Sequence, residues 1–510
     1  MIPFGVLAVL SFFLLWRLPV DTDLWWHLKA GQLMWEQGRI FTTDIFSSTA
    51  FGHEWINHEW LTEILFYIFY RWAPWEGLVL LRYLLGLGTL WFMYRTTVLL
   101  TGRRWASLFI SMVAFYVVSL RLGLRPSTVS TLWIAVSFFL CVGIKTNRFS
   151  IYHYAWFPIL FLLWANMHGG YIIGLVFLFL FRLPEVAMKR HWFFHPFSLT
   201  LFCLLACLAN PYGYRLLTFP LEHLGLQAAM SRTVEWQSAF QPVALFFADA
   251  RWIPYVFVLI GGSFFVSRGA FELSYFLILL LVGILSAKSV RFVSELVVVG
   301  MPLMALNLSQ HPWFSFHWAQ NFFMRRSIVY LFMLILIIPA VLSWRRLGSL
   351  RIQEDWLKKE EVFNFSPDVA EFLKANSIAG RIFNDTRLGE SLIFFMGPKQ
   401  KVFIDNRHYL YENSFFENYW KALSSPKVFQ DFNSRYGPFD VVLLSPWGIE
   451  QQVHLHTYLW THPEEWALVY FSQKGFIYLR RELRFEDLIR RYALHEPPLP
   501  LKVKIPYLKY

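Results

Sequence analysis

Residues 3–28 read PFGVLAVLSFFLLWRLPVDTDLWWHL: an apolar run closed by Pro19, two carboxylates at Asp21 and Asp23, then an aromatic stretch ending in His27 and Leu28. The run from Pro3 to Pro19 has neither a basic leader nor a small-residue cleavage site. It therefore predicts an uncleaved first membrane span, not a signal peptide. The composition agrees. Of 510 residues, 56% are hydrophobic and 16% charged, which lies outside the range of soluble chains.

Further apolar segments lie at about 55–72, 76–99, 105–119, 128–144, 153–167, 170–183, 197–209, 252–267, 272–287, 291–308 and 326–343. They predict a polytopic α-helical membrane protein with about 11–13 transmembrane helices, some shorter than the roughly 20 residues of a perpendicular span. Asn166-Met-His-Gly-Gly170 interrupts one apolar stretch, which reads either as a hairpin or as one broken helix. Irregular backbone at that depth must be shielded from lipid.

After Arg346 the composition becomes that of a globular domain. The expected division is a transmembrane domain at 1–350, with a first loop at 20–63, and a C-terminal α/β soluble domain at 351–510. Ser366-Pro367-Asp368 predicts a helix start. Strands are predicted at 381–383, 401–404, 440–444, 466–471 and 476–479, with helices between the earlier ones.

The net charge of +12 resides almost wholly in the first 350 residues, because residues 351–510 carry 21 basic and 20 acidic side chains. Basic residues at the ends of apolar helices suit lipid phosphates, so membrane lipids are expected partners and nucleic acid is not. Basic pairs recur at Arg103-Arg104, Lys189-Arg190, Arg325-Arg326 and Arg345-Arg346, so charge bias does not orient the chain. Cys141, Cys203 and Cys207 all sit in apolar runs. Three such thiols make neither a disulfide framework nor a cysteine metal site.

Val20 to Glu63 holds seven of the 14 acidic residues of the first 350, with His27, His53 and His58. Leu24 to Trp35 predicts an amphipathic helix with Trp25 and Trp26 at the membrane interface. Asp21 and Asp23 would then sit at the lipid boundary. Arg121 and Arg125 flank Leu-Gly-Leu, and Lys288 and Arg291 bracket a break between two apolar runs. These four are candidate phosphate contacts, the guanidinium being matched to phosphate oxygens, although snorkelling is the commoner use of such residues.

His53-Glu54 and His58-Glu59 repeat a pair five residues apart. That spacing is not the His-Glu-X-X-His of zinc peptidases, whose two histidines share a helical face. The pairs are candidate donor or acceptor contacts. His168 is a candidate for contacting a lipid carrier, since polar side chains in apolar segments face cavities or other helices. Asp405-Asn-Arg407 follows an expected strand end, where α/β sheets tend to place ligand contacts, although an Asp-Arg pair that ties a turn is the commoner explanation.

Asp21-Thr-Asp-Leu-Trp-Trp-His-Leu28, His58-Glu-Trp-Leu61, Trp164-Ala-Asn-Met-His-Gly169, Asn210-Pro-Tyr-Gly213 and Val402-Phe-Ile-Asp-Asn-Arg407 resemble bacterial membrane proteins grouped with the polytopic GT-C glycosyltransferases of the lipopolysaccharide-core type. The resemblance implies a bacterial inner-membrane enzyme that takes a sugar from a polyprenyl-phosphate donor to a saccharide, lipid or protein acceptor. It also implies an extracytoplasmic first loop, with Asp21 or Asp23 as base and the other orienting it or helping to hold a divalent metal. No Trp-Trp-Asp-Tyr-Gly type signature occurs, which argues against the oligosaccharyltransferase branch. In this reading the α/β domain caps the site and helps choose the acceptor. The competing readings are a flippase for lipid-linked saccharides, disfavoured by the lack of related halves, and a silent envelope-assembly protein.

Overall fold

The computed structural model describes residues 2–16, 23–186, 195–223, 234–238, 240–241, 253–267, 272–311, 338, 365–446, 449 and 451–498. The chain divides into two compact units. One comprises Met1–Pro19, His58–Thr218 and Met230–Ile352, the other Val20–Asn57, Phe219–Ala229 and Gln353–Tyr510. The first loop therefore belongs with the C-terminal residues, although it is separated from them by some 300 positions of sequence.

In chain order the helices are α1 (Ile2–Leu15), α2 (Leu24–Gln37), α3 (Trp60–Trp72), α4 (Pro74–Thr101), α5 (Arg104–Arg121), α6 (Ser127–Lys145), α7 (Trp156–Met167), α8 (Tyr171–Arg182), α9 (Pro196–Cys207), α10 (Arg215–His223), α11 (Ile253–Val266), α12 (Leu273–Lys288) and α13 (Val293–Ser309). Among the described residues four helical stretches are long and apolar enough to cross a bilayer: α4, α5, α6 and Val290–Ser309, which contains α13. Helices α1, α9, α11 and α12 are apolar but shorter. The membrane part thus has several spans, as the apolar runs predict. The expected span at 326–343 and the basic pairs at 189–190, 325–326 and 345–346 lie outside the described residues.

Helix α4 packs on α1, α3, α5, α6 and α13. Close approach is set by Gly86, where a Cβ would collide with Leu15 and crowd Phe115 and Leu122. Buried Arg82 donates to the Leu15 carbonyl at 2.9 Å and to the Leu122 carbonyl at 2.5 Å. It thereby satisfies acceptors that helix ends leave open. The stretch around residue 168 resolves into two twelve-residue helices, α7 and α8. At 1.5 Å per residue each covers only about 18 Å, short of the roughly 30 Å hydrocarbon core.

The apolar run expected at 55–72 is cut at its start. Helix α3 begins only at Trp60, because Trp55 and Ile56 are buried in the other unit, where Trp55 Nε1 donates to the Tyr409 hydroxyl at 2.8 Å.

In that second unit, strands β1 (Ile382–Asn384), β2 (Val441–Leu444), β3 (Trp466–Phe471) and β4 (Phe476–Arg480) form a sheet of order β1-β2-β4-β3. The first pair is parallel and the other two antiparallel. Helices α14 (Pro367–Ala375), α15 (Thr386–Met396), α16 (Asn413–Ser424), α17 (Pro426–Tyr436), α18 (Val453–Thr461) and α19 (Glu486–Tyr492) complete the α/β region. Helix α14 starts at the expected proline, which suits the first helical position.

Two expectations are corrected here. Residues 401–404 are not a strand. Val402 makes a single parallel bridge with Ser47, its N–H donating to the Phe46 carbonyl at 3.0 Å and its carbonyl accepting from Ser48 at 2.7 Å. Among the described residues its pairing partner is an irregular loop, so no ladder extends. Nor are Trp25 and Trp26 interfacial. Both are buried, α2 packs on α15, and the Trp25 ring lies 4.3 Å from that of Phe365.

Candidate active site

The first turn of α6 joins two polar clusters through adjacent hydroxyls, Ser130 and Thr131. Around Ser130 the partners come from the start of α3 and from the break between α7 and α8. Trp164 Nε1 donates to Ser130 Oγ at 2.7 Å. Ser130 Oγ lies 2.6 Å from His168 Nδ1, to which the Gly170 N–H also donates at 3.0 Å. A backbone N–H can only donate, so Nδ1 is an acceptor and the single ring proton sits on Nε2. Ser130 then accepts from Trp164 and donates to His168.

His168 Nε2 in turn lies 3.6 Å from Glu59 Oε1, and His58 Nε2 approaches the same oxygen at 3.6 Å. Gly170 is required here, because a Cβ would fall 2.4 Å from Ser130 Oγ. Trp60 Nε1 donates to Asn166 Oδ1 at 3.0 Å, and Asn166 Nδ2 donates to the Ala209 carbonyl at 2.9 Å. Asn210 closes its own turn by accepting from Tyr212 N at 2.7 Å. The segments around His58, Trp164 and Asn210 thus meet in one place.

The second cluster is cationic. Arg125 Nη1 contacts Glu235 Oε1 at 2.9 Å and Oε2 at 2.7 Å, and Arg121 Nη2 lies 3.5 Å from Oε2. Arg291 lies with its guanidinium 4.8 Å over the Trp236 ring. Burial raises the Glu235 pKa, but Arg125, Arg291 and Arg121 more than offset it and hold the carboxyl at about 2. On the other side Thr131 donates to Glu295 Oε1 at 3.0 Å, while Glu295 Oε2 is buried without a hydrogen bond among the described residues. Lys288 ends α12 with its side chain exposed.

Asp23, His27, His53 and Glu54, also singled out in the sequence, belong to the second unit. Asp23 precedes α2, with Asn406 Nδ2 3.5 Å from its Oδ1. Asp21 lies outside the described residues. His27 is buried, its ring 3.7 Å from that of Trp26, so it is a core residue and not open to a substrate. His53 and Glu54 are exposed on a turn where Thr43 bridges Glu54. The two His-Glu pairs are therefore not a repeat in space, since each unit holds one of them. No group of three or more His, Cys, Asp or Glu side chains among the described residues is placed to hold a metal ion.

The Asp405-Asn-Arg407 motif is structural. Arg407 is fully buried, paired with Asp44 at 2.7 Å and with Asp405 at 2.7 Å and 3.0 Å. Asp44 also accepts from Ser47 Oγ at 2.6 Å, and Asp405 from the Tyr411 hydroxyl at 3.2 Å.

Sequence reading missed Glu235, Glu295 and Ser130. The two glutamates had a signal: outside 20–63 the first 350 residues contain only seven acidic side chains, and an acid in such surroundings needs a partner.

No family model and no curated protein sequence matches this chain. Solved structures do. The archaeal oligosaccharyltransferase AglB from Archaeoglobus fulgidus, in complex with an inhibitory peptide and a dolichol-phosphate, superposes with a TM-score of 0.58 at 10% identity, over 98% of this chain and 76% of that one. ArnT from Cupriavidus metallidurans bound to undecaprenyl phosphate gives 0.56 at 11% identity, over 93% of this chain and 96% of the other. Its apo state gives 0.55 at 12% identity over 94% and 97%. The fold is thus similar to that of the GT-C glycosyltransferases AglB and ArnT.

Proposed function

We propose that the protein is an integral membrane glycosyltransferase, taking a sugar from a polyprenyl-phosphate donor to a saccharide, lipid or protein acceptor of the cell envelope. The observation that carries this reading is the meeting of Arg121 and Arg125 on one carboxylate, Glu235, with Arg291 over the ring of the adjacent Trp236, in a fold whose solved examples bind dolichol-phosphate and undecaprenyl phosphate.

In the reaction an acceptor oxygen attacks the anomeric carbon, and the bond from that carbon to the phosphate oxygen breaks. The electron pair leaves with the phosphate. The hydroxyl proton passes to a carboxylate, Asp21 or Asp23 by the resemblance, and from there to water. A phosphate leaving group is weakly basic, so its departure needs charge stabilisation, which the arginines supply. His168 turns its Nε2 toward Glu59 at 3.6 Å, a pair suited to holding a polar head group. A bacterial inner-membrane location with residues 20–63 extracytoplasmic belongs to the same proposal.

The test is complementation of a deletion strain, with envelope glycans and lipid-linked saccharides profiled by mass spectrometry. Asp21→Asn or Asp23→Asn, whichever is the base, should lower transfer by about 10²- to 10⁴-fold while the protein stays folded in the membrane. If both single variants and the double variant restore the glycan as wild type does, the reading fails.

A further inference from the structure

Arg82 lies on α4 inside the apolar bundle and is only 3% exposed. Its guanidinium reaches two other helices at once. Nη1 donates to the carbonyl of Leu15, the last residue of α1, and Nε to the carbonyl of Leu122, which closes α5. One turn further along α4, Gly86 packs against the side chains of the same two leucines. Leu122 directly follows Arg121 and stands three residues before Arg125, the two arginines that meet on Glu235. The connection between them is closed on itself. Gly123 N donates to the Arg121 carbonyl at 2.9 Å, Thr128 N to the Arg125 carbonyl at 3.0 Å, and Thr128 Oγ1 to the Gly123 carbonyl at 2.8 Å. Arg82 fastens this compact turn to α4 and α1.

An arginine suits that place better than a lysine would. The two carbonyls belong to different helices, and a guanidinium offers diverging donors in a fixed fork, whereas an ammonium is a point charge on a flexible stem. The charge matters as well. The C-terminal end of a helix carries about half a negative charge, and the ends of α1 and α5 both lie against Arg82. Left unopposed beside Arg121, those ends would repel an anion. One buried guanidinium offsets about both halves.

Resting on the phosphate site proposed above, we infer that Arg82 is a positioning residue for the lipid phosphate: it holds the turn from Arg121 to Arg125 in the geometry that receives the phosphate oxygens, and it offsets the negative helix ends beside that turn. Buried and committed to two carbonyls, it touches no substrate itself. Its effect passes through Arg121 and Arg125, so the loss of Arg82 should matter most when both are present.

The experiment measures dissociation constants of the full chain in detergent for dodecyl phosphate, as a double-mutant cycle with Arg125→Ala. Arg82→Gln should weaken binding by about tenfold in the otherwise wild-type protein, and by about threefold or less once Arg125 is alanine. Arg82→Lys keeps the charge and one of the two bonds, so it should rescue most of that loss and bind about threefold more weakly than wild type. Equal losses from Arg82→Gln with and without Arg125 would make Arg82 a general strut and overturn the inference, as would wild-type binding by Arg82→Gln. If Arg82→Gln does not fold, Arg82→Lys carries the cycle: a loss of about threefold that shrinks when Arg125 is alanine supports the inference, and wild-type binding or an unchanged loss overturns it. A wild-type protein that does not bind dodecyl phosphate, or binds it no better than Arg125→Ala does, sinks the phosphate site itself.

Discussion

Two arginine clusters, one in each unit, use the same chemistry to opposite ends. In the second unit Arg407 is enclosed, with Asp44 and Asp405 each at 2.7 Å and the rings of Trp55 and Phe46 within 4.7 and 5.1 Å. In the first, Arg121 and Arg125 share one part-exposed glutamate. Where carboxylates outnumber the cation and every group is sealed, the pairing holds a fold together. Where cations outnumber the carboxylate and stay reachable, the pairing is exchangeable, which a ligand site requires.

Removing a cation from each cluster tests that contrast. Arg407→Leu leaves two buried carboxylates facing each other, and should destabilise the second unit by about 3–5 kcal/mol, read as a lowered Tm or loss of expressed protein. Arg125→Ala should cost less than about 1 kcal/mol of stability, since its pair is partly solvated, yet weaken lipid-phosphate binding by about 10- to 100-fold. A stability loss for Arg125→Ala as large as that for Arg407→Leu would erase the distinction.

Acid sharpens the same comparison. His456 is buried in the second unit with Nδ1 2.9 Å from the Tyr478 hydroxyl, and burial lowers its pKa to about 3. The unfolded chain takes up that proton near pH 6.5 and the folded chain only near 3. The stability this histidine supports is therefore whole above about pH 6.5 and declines as pH falls toward 3. Glu235, held at about 2, remains ionised through that window. Thermal unfolding followed from pH 7 to 4 should show the second unit weakening, and less so in His456→Phe if that variant packs. Last, Lys288→Ala removes an exposed charge and should change stability by no more than about 0.5 kcal/mol. A larger shift would mean that Lys288 belongs to the cluster.

Much of the fold was readable from periodicity and composition. The apolar runs at 76–99, 105–119 and 128–144 became α4, α5 and α6, because a long apolar stretch has one way to satisfy its backbone away from water. β3 and β4 fell within a residue of expectation for a similar reason, short buried runs bounded by polar turns. Residues 401–404 have the composition of a strand, but whether a ladder forms depends on the partner. Trp25 and Trp26 show the same limit: an amphipathic helix with two tryptophans fits a membrane surface and a protein core equally well until its neighbours are known.

Residue types and linear order alone marked this chain as a many-span membrane protein with a mixed C-terminal sheet. They also marked Arg121, Arg125, His168 and Arg291 as polar groups in apolar surroundings, because the expense of desolvating such groups makes them conspicuous wherever they lie. Only the three-dimensional arrangement decided which of them meet. It set Glu235 against arginines more than a hundred positions earlier, fixed the proton of His168 through Ser130 and Gly170, and assigned Asp44 to Arg407 across more than 350 positions. Ion pairs and hydrogen bonds act over a few ångströms whatever the intervening length of chain, so the partner of a charged group is a property of packing, which linear order does not carry.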